Sequence, residues 1–315
     1  MSNAFETHLR GAFEKKELSP KSVSLYMKNL ERLNDGRPLT DFRFLENPAT
    51  IEQKLADYAD TTRRNFIIAI VSALNLGGST PKHKKLYTYY YNMMINMNKE
   101  IKDKPKKTGE GLPTWGDILT IFNSLYVKAE ELPRKGVLTD KEYTLLLKAI
   151  CASLYILIPP RRNGDYLDMC MVYGLPKEAN DDKNYLDTKS WEFVFNKYKT
   201  SKTYGEYKTS VPPRLKSLIS LYLLHHPILS AIKTKKERET SICRPFLVYK
   251  DGEPLTQINA ITRILNSVFG KGVGSSQLRH IYLTEKYGAV EAAKQADAAA
   301  MGHSVLQQGD YIYQQ

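Results

Sequence analysis

A charged segment that contains proline and glycine but no apolar periodicity interrupts the chain after its first third. It covers residues 102–113 and reads KDKPKKTGEGLP. Such a composition offers no hydrophobic face to bury, and it is typical of a solvated linker. The 315 residues are enough for two ordinary domains. The sequence therefore predicts one domain at residues 1–104, a linker at 105–112 and a second domain at 113–315.

Helical periodicity dominates the part before the linker. The serine-proline pair at 19–20 is a typical N-cap followed by proline at the first helical position. Apolar residues then recur at intervals of three and four. The threonine pair at 61–62 is read as a second cap, which places Arg63 and Arg64 in an exposed first turn. The pattern predicts a small all-α bundle with helices at residues 21–33, 51–58, 61–77 and 82–101.

The part after the linker combines helices with a few strands. Residues 191–198 alternate between apolar and polar side chains, as strands do, and residues 208–211 provide a return strand. Between them, residues 199–205 form a basic hairpin tip. We therefore expect a mainly α protein of the α+β class with a small antiparallel sheet. The other predicted elements are helices at 115–126, 140–157, 215–224, 257–269, 276–287 and 290–300, and a strand at 245–249.

The charge of the chain indicates a polyanionic partner. Lysine and arginine number 46 against 34 acidic residues, which gives a net charge of +12. Residues 1–107 alone carry 19 basic and 12 acidic side chains. Nucleic acid is the natural partner, because neutralising phosphates releases counterions. The longest apolar run, residues 149–158, is shorter than the ~20 residues of a membrane span, and residues 1–12 lack the apolar core of a signal peptide.

The three cysteines predict the compartment. Cys151, Cys170 and Cys243 are far apart and odd in number, so they provide neither a disulfide framework nor a zinc knuckle. Each is interpreted as a small core residue. An intracellular, reducing compartment, such as the cytoplasm or nucleus of a host, is the expected location.

Residues suited to phosphate chemistry occur along the second part in a distinctive order. A pair of arginines follows the long apolar helix and two prolines, and lysines lie on the hairpin tip. Guanidinium groups bind the oxygens of a phosphodiester bidentately, and a phenol can attack the phosphorus that they hold. The remaining members of the series are Leu278-Arg279-His280, Gly302-His303, Tyr311 and Tyr313.

This order resembles that of the tyrosine recombinase (phage-type integrase) family over residues 115–315. The stretch LSPKSVSLYMKNL at residues 18–30 also resembles the start of the family's core-binding domain. The resemblance implies a helical, SAM-like core-binding domain followed by a catalytic domain. It implies an integrase or site-specific recombinase of a virus or mobile element. Such an enzyme rejoins double-stranded DNA through a 3′-phosphotyrosyl intermediate without ATP, metal or another cofactor, as a monomer in solution and a tetramer on paired sites.

The resemblance also assigns roles to individual residues. Arg162 and Arg279 would clamp the phosphate, and Arg162 is preferred over Arg161 because Asp165 follows it by three residues. His303 would donate a hydrogen bond to the phosphate or help to activate the nucleophile.

A lysine of the hairpin tip would protonate the leaving 5′-oxygen. Lys202, within Ser201-Lys202-Thr203, matches the family lysine best. Lys199 competes with it for this role, and Lys208 is a weaker competitor.

The chain departs from the family pattern at two positions. The family has histidine three residues before the second arginine, and Ser276 stands there. The family tyrosine lies nine residues after the histidine of the Gly-His pair, where this chain has Ile312. Tyr311 is the preferred nucleophile, and Tyr313 is the alternative.

Two other functions remain open. A type IB topoisomerase would use the same chemistry without synapsis of two sites. A DNA-binding protein of the same fold with little catalysis would account for Ser276.

Six cationic residues are expected to contact DNA. They are Arg63, Arg64, Lys106, Lys107, Arg161 and Lys199.

Overall fold

The computed structural model describes residues 3–104, 110–176 and 182–308, and the chain divides into two compact units. The first unit is Met1–Thr108 and the second is Gly109–Gln315. The boundary lies within the segment 105–112, whose composition predicts a linker. Each unit has its own hydrophobic core, so the two are described separately.

The first unit is helical throughout its described residues. The second and fourth helices pack against each other and bury Met27, Leu30, Phe66 and Ile70. The helices are α1 (Ala4–Lys15), α2 (Pro20–Leu33), α3 (Pro48–Leu55), α4 (Asp60–Gly77) and α5 (Pro81–Asp103), with a 3-10 turn at Arg43–Leu45.

Two helix starts in this unit test the capping predictions. At α2 the prediction is confirmed, because the Ser19 side chain accepts a hydrogen bond from the Ser22 amide and Pro20 follows at the first helical position. At α4 it is wrong, because the helix begins at Asp60, before the threonine pair. Helix α1 was not predicted, although it buries Leu9 and Phe13 four residues apart.

The second unit packs helices around a buried central helix and a small sheet. Its longer helices are α6 (Trp115–Glu130), α7 (Asp140–Ile156), α10 (Pro213–Leu224), α13 (Ile258–Phe269) and α14 (Ser275–Met301). The central helix α7 contacts α6, α10 and α13. The single-turn helices are α8 (Gly164–Leu167), α9 (Ser201–Tyr204), α11 (Pro227–Ser230), α12 (Lys235–Arg238) and α15 (Val305–Gln308).

The sheet is mixed, whereas an antiparallel sheet was predicted. Its strands are β1 (Cys170–Val172), β2 (Asn184–Asp187), β3 (Glu192–Phe195), β4 (Tyr207–Ser210) and β5 (Arg244–Pro245). Their order in the sheet is β4-β3-β2-β1-β5, with β1 and β2 parallel and the other neighbours antiparallel. Strands this short carry no sequence signal for the direction in which they pair.

Helix α14 is continuous, although two helices separated near Gly288 were predicted. Glycine lowers helix stability by roughly 1 kcal/mol relative to alanine. That penalty is small beside the high helix propensity of the alanine-rich segment that follows it. Most side chains of α14 beyond Tyr282 are exposed. No helix within the described parts of the chain has the length and apolar character needed to cross a bilayer.

Cys170 and Cys243 form a disulfide, which corrects the prediction that all three cysteines are free core residues. Their Cα atoms are 4.9 Å apart, because the antiparallel pairing of β1 with β5 brings the two residues together. Only Cys151 is free and buried. A spacing of 73 residues gives no hint of this pairing in the sequence. Cysteine usage therefore no longer supports a reducing compartment.

Reduction of this disulfide is expected to destabilise the second unit. The cross-link restricts the unfolded chain, so a thiol reductant should lower the free energy of unfolding by roughly 2–4 kcal/mol. Urea denaturation with and without reductant measures the change. The variant Cys243→Ser should be insensitive to the reductant, and equal stability of the wild type in both conditions would contradict the cross-link.

Acid should destabilise the same unit through His226. This side chain is fully buried, its Nε2 donates to the Pro245 carbonyl oxygen at 3.1 Å, and burial lowers its pKa to about 4. The unfolded chain, with an ordinary histidine pKa, binds more protons than the folded one between pH 6.5 and 4, so stability decreases as the pH falls through that window. Wild type should lose about 2 kcal/mol more than His226→Gln between pH 7 and 5, as measured by urea denaturation; parallel losses would rule this out.

Candidate active site

Arg161 is held inside the second unit by an acid and by aromatic rings. Its Nε donates to Asp165 Oδ2 at 2.9 Å, and its guanidinium carbon lies 3.8 Å from the centre of the Phe195 ring and 5.0 Å from that of Tyr198. The Arg161 side chain is only 19% exposed. A DNA contact at Arg161 would therefore have to use its remaining N–H groups, because Nε is bound to Asp165 and the guanidinium lies against the Phe195 ring.

Arg162 points its side chain to solvent from the same turn. Its backbone oxygen accepts a hydrogen bond from the Asp165 amide at 3.0 Å, which begins helix α8. The residue is exposed, and its guanidinium forms no hydrogen bond or ion pair with any described residue. Residues 161–165, here called the arginine turn, thus contain one half-buried guanidinium and one exposed guanidinium.

Burial and the neighbouring arginines shift the pKa of Asp165 in opposite directions. Burial raises the pKa of its carboxyl group, and the positive charges of Arg161 and Arg162 oppose that rise. Asp165, which follows Arg162 by three residues, therefore makes its ion pair with Arg161 and interacts with the Arg162 guanidinium only through its charge.

Asn163 connects the arginine turn to two helices. Its Oδ1 accepts a hydrogen bond from the Tyr155 hydroxyl of α7 at 2.7 Å. Its Nδ2 donates to the Ile258 carbonyl oxygen and to Thr262 Oγ1 of α13, both at 2.9 Å. Asn163 is 4% exposed, so this bridge is buried. The sequence offers no signal for it, since asparagine beside two arginines resembles an ordinary turn residue.

Arg279 reaches the same region from the first turns of α14. Gly274, immediately before α14, packs so closely on Thr262 that an added Cβ would lie 3.1 Å from the threonine methyl group. Burial raises the pKa of Tyr155 well above its usual value, with Asp165 adding to the rise and Arg279 opposing it. Asp165 and Arg279 therefore both lie within electrostatic reach of one hydroxyl group.

Arg279 keeps part of its surface accessible to solvent. The residue is half-buried, and its Nε donates a long hydrogen bond to the Ser275 carbonyl oxygen at 3.3 Å. Ser276, which stands where the family has histidine, is exposed three residues earlier on the same helical face. His280 is exposed on the neighbouring position.

The predicted basic hairpin is present, and its tip contains one helical turn. Phe195 of β3 pairs with Tyr207 of β4, and both rings lie against the guanidinium of Arg161. The connection between them, residues 197–205, is here called the lysine loop. Lys199 and Lys202 are exposed on this loop, whereas Lys208 lies beyond it and pairs with Glu206 at 2.8 Å. The hairpin thus brings two candidate lysines to the arginine turn.

His303 is not brought to this cluster. Arg279 and the end of α14 at Met301 are separated by 22 residues of continuous helix, or roughly 33 Å at 1.5 Å per residue. The His303 ring lies beside the Met301 sulfur, 3.2 Å from Nε2. Tyr311 and Tyr313 fall outside the described residues, as do Lys106 and Lys107.

In the first unit, Arg63 and Arg64 are half-buried rather than exposed as predicted. Arg63 forms an ion pair with Asp60, and Arg64 Nε donates to Asn98 Oδ1. The early start of α4 places Asp60 three residues before Arg63, on the same helical face. Lys84 and Lys85 at the start of α5 are exposed, and they are better placed for an external anion.

Comparison of the chain with protein-family models, with curated proteins and with solved structures finds no match. Functional inference therefore depends on the geometry of the site and on the order of its residues.

The two neighbouring arginines should respond differently to mutation. Arg161→Ala leaves the buried Asp165 carboxylate without its partner, so it should lower the free energy of unfolding by roughly 3–5 kcal/mol. Arg162→Ala removes an exposed side chain and should change that free energy by less than about 0.5 kcal/mol. Urea denaturation of the two variants makes the comparison. Similar losses from both would contradict the separate roles.

Proposed function

We propose that the protein is a site-specific recombinase or integrase that cleaves and rejoins double-stranded DNA. Two observations carry the proposal. Arg279 lies within electrostatic reach of the Tyr155 hydroxyl, which donates to Asn163 in the turn that carries Arg162. Asn184, which binds the start of the lysine loop, donates to the Asp165 carbonyl oxygen of the same turn. Residues that are far apart in sequence thereby lie on elements that are linked to one another, and these elements carry two arginines and two lysines. Guanidinium groups can bind both non-bridging oxygens of a phosphodiester as its charge increases in the transition state.

In the proposed reaction, the phenol oxygen of Tyr311 or Tyr313 attacks the phosphorus while the bond to the 5′-oxygen breaks. The phenol proton passes to a base, for which His303 is the candidate. Lys202 or Lys199 donates a proton to the leaving 5′-oxygen. The resulting 3′-phosphotyrosyl ester keeps the energy of the broken bond, so a 5′-hydroxyl can reverse the reaction without ATP.

The C-terminal segment has to approach the arginines for this chemistry. Helix α14 holds His303 roughly 33 Å away from Arg279 along its axis. Within one chain, a break at Gly288 is the least costly route, because glycine has the lowest helix propensity in α14. Within the proposed tetramer, a neighbouring protomer supplies the histidine and tyrosine instead.

Duplex DNA is the proposed partner because the whole chain carries a charge of +12. Exposed lysines of both units, including Lys84, Lys85 and Lys199, are available to phosphates. A protein of this charge gains affinity from counterion release regardless of sequence, whereas the cleavage site requires specific geometry. The two units would act together on one duplex, as the family's core-binding and catalytic domains do.

The decisive experiment looks for the covalent adduct. The purified protein is incubated with a pool of nicked DNA duplexes of randomised sequence, in which the nick lets the cleaved strand diffuse away. We expect protein–DNA adducts that survive SDS, and mass spectrometry after nuclease digestion should find the nucleotide on Tyr311 or Tyr313. Arg162→Ala and Arg279→Ala should each reduce adduct formation by more than 100-fold, in line with the loss of a transition-state charge contact.

The matched control is the double variant Tyr311→Phe/Tyr313→Phe, which keeps the phosphate-binding groups. If wild type forms no more adduct than this variant on any recovered sequence, the proposal fails.

A second candidate is a DNA-binding protein of the same architecture with little catalysis. Two observations favour it, namely serine at position 276 and the distance of His303 from Arg279. Serine can hydrogen-bond a phosphate, but it cannot act as a base near neutral pH. If Ser276→His creates adducts where wild type has none, the binding protein is the correct interpretation.

A further inference from the structure

Asn184 occupies a position where all four hydrogen bonds of its side chain are made. It lies on β2 and is 5% exposed. Its Oδ1 accepts from the amides of Asn196 and Lys197 at 2.9 and 2.8 Å. Its Nδ2 donates to the carbonyl oxygens of Asp165 and Lys197 at 2.8 and 2.9 Å. These bonds use the full capacity of a primary amide.

The partners of Asn184 belong to the two parts of the candidate site. Asp165 ends the arginine turn, whereas Asn196 and Lys197 lead from β3 into the lysine loop. Asparagine is unfavourable in strands and costly to bury, so its presence on β2 needs a compensating role. Fully satisfied, it fixes the start of the lysine loop relative to the arginine turn.

Tyr198 closes the other end of the lysine loop. Its hydroxyl donates to the Gly205 carbonyl oxygen at 2.9 Å, across the helical turn that carries Lys202. Its ring also lies 5.0 Å from the guanidinium carbon of Arg161. The loop is therefore fixed at both ends, by Asn184 at its start and by Tyr198 across its tip, while Lys199 and Lys202 remain exposed.

We propose that Asn184 and Tyr198 are positioning residues that hold the lysine loop so that its lysine can protonate the leaving 5′-oxygen. The inference rests on the proposed function. In this step the bond between phosphorus and the 5′-oxygen breaks and its electron pair stays on that oxygen. The lysine ammonium gives one proton to the oxygen and becomes a neutral amine, which water reprotonates. The arginine clamp, held by Asn163, does not take part in this proton transfer.

The test compares two substrates that differ in their need for a proton. One is a duplex recovered from the randomised pool, and the other is the same duplex with sulfur in place of the bridging 5′-oxygen. A thiolate leaves without protonation near neutral pH, because thiols are far more acidic than alcohols. Tyr198→Phe and Asn184→Ser should slow adduct formation on the oxygen substrate by about 10- to 100-fold. Both should cleave the sulfur substrate within about twofold of the wild-type rate.

Three variants serve as references. Arg162→Ala should slow both substrates alike, because it removes phosphate binding. Lys199→Ala and Lys202→Ala should reproduce the selective defect for whichever lysine is the acid. Tyr198→Phe keeps the ring on Arg161 and loses only one hydrogen bond. The test therefore remains valid even if Asn184→Ser fails to fold. Hydrogen exchange of residues 197–205 should accelerate in Tyr198→Phe.

The outcomes distinguish failure of the proposed function from failure of the positioning role alone. If wild type forms no adduct on either substrate, the proposed function and this inference both fail. If wild type cleaves both but Tyr198→Phe slows both equally, or neither, the positioning role is wrong and the proposed function stands. A defect confined to the oxygen substrate supports the inference, since a general loss of folding would not spare the sulfur substrate.

Discussion

The ion pair between the half-buried Arg161 and the buried Asp165 is the interaction on which the candidate site depends. Removing either charge would leave the other desolvated, which costs several kcal/mol. The pair is enclosed by Phe195 and Tyr207, which are register partners on β3 and β4. Because Arg161 satisfies the buried acid, the adjacent Arg162 is left exposed and able to meet an external anion. One arginine thus serves the fold while its neighbour is available for binding.

Two buried asparagines connect the arginine turn to the other elements of the candidate site. Asn163 links the arginine turn to α7 and α13, next to the start of α14 and Arg279. Asn184 links the same turn to the lysine loop. Buried amides are rigid when all their hydrogen bonds are made, and half-satisfied ones are costly. The network explains how the arginine turn is held against helices α7 and α13 and against the start of the lysine loop.

Helix α14 represents the opposite situation, a long element with few tertiary partners. Its first turns are packed through Leu278 and Ile281, whereas Leu283, Tyr287 and Val290 are about half exposed. A helix end that buries little apolar surface has little tertiary free energy to lose when it rearranges. The separation of His303 from Arg279 is therefore a property that DNA or another protomer could change at low cost. Arg279, by contrast, lies on the packed first turns of α14, and Arg162 lies beside the buried Asn163.

The sequence by itself determined the helices with strong apolar periodicity, the linker, the hairpin and the order of the cationic residues, because these depend on local spacing and turn chemistry. It did not determine that Asp165 pairs with Arg161, that β1 runs parallel to β2, or that Cys170 meets Cys243. Nor did it indicate Asn163 and Asn184, whose partners lie on other elements. Such features depend on which surfaces come together in space, and burial changes the energy of a charge or an amide only once the tertiary structure has formed.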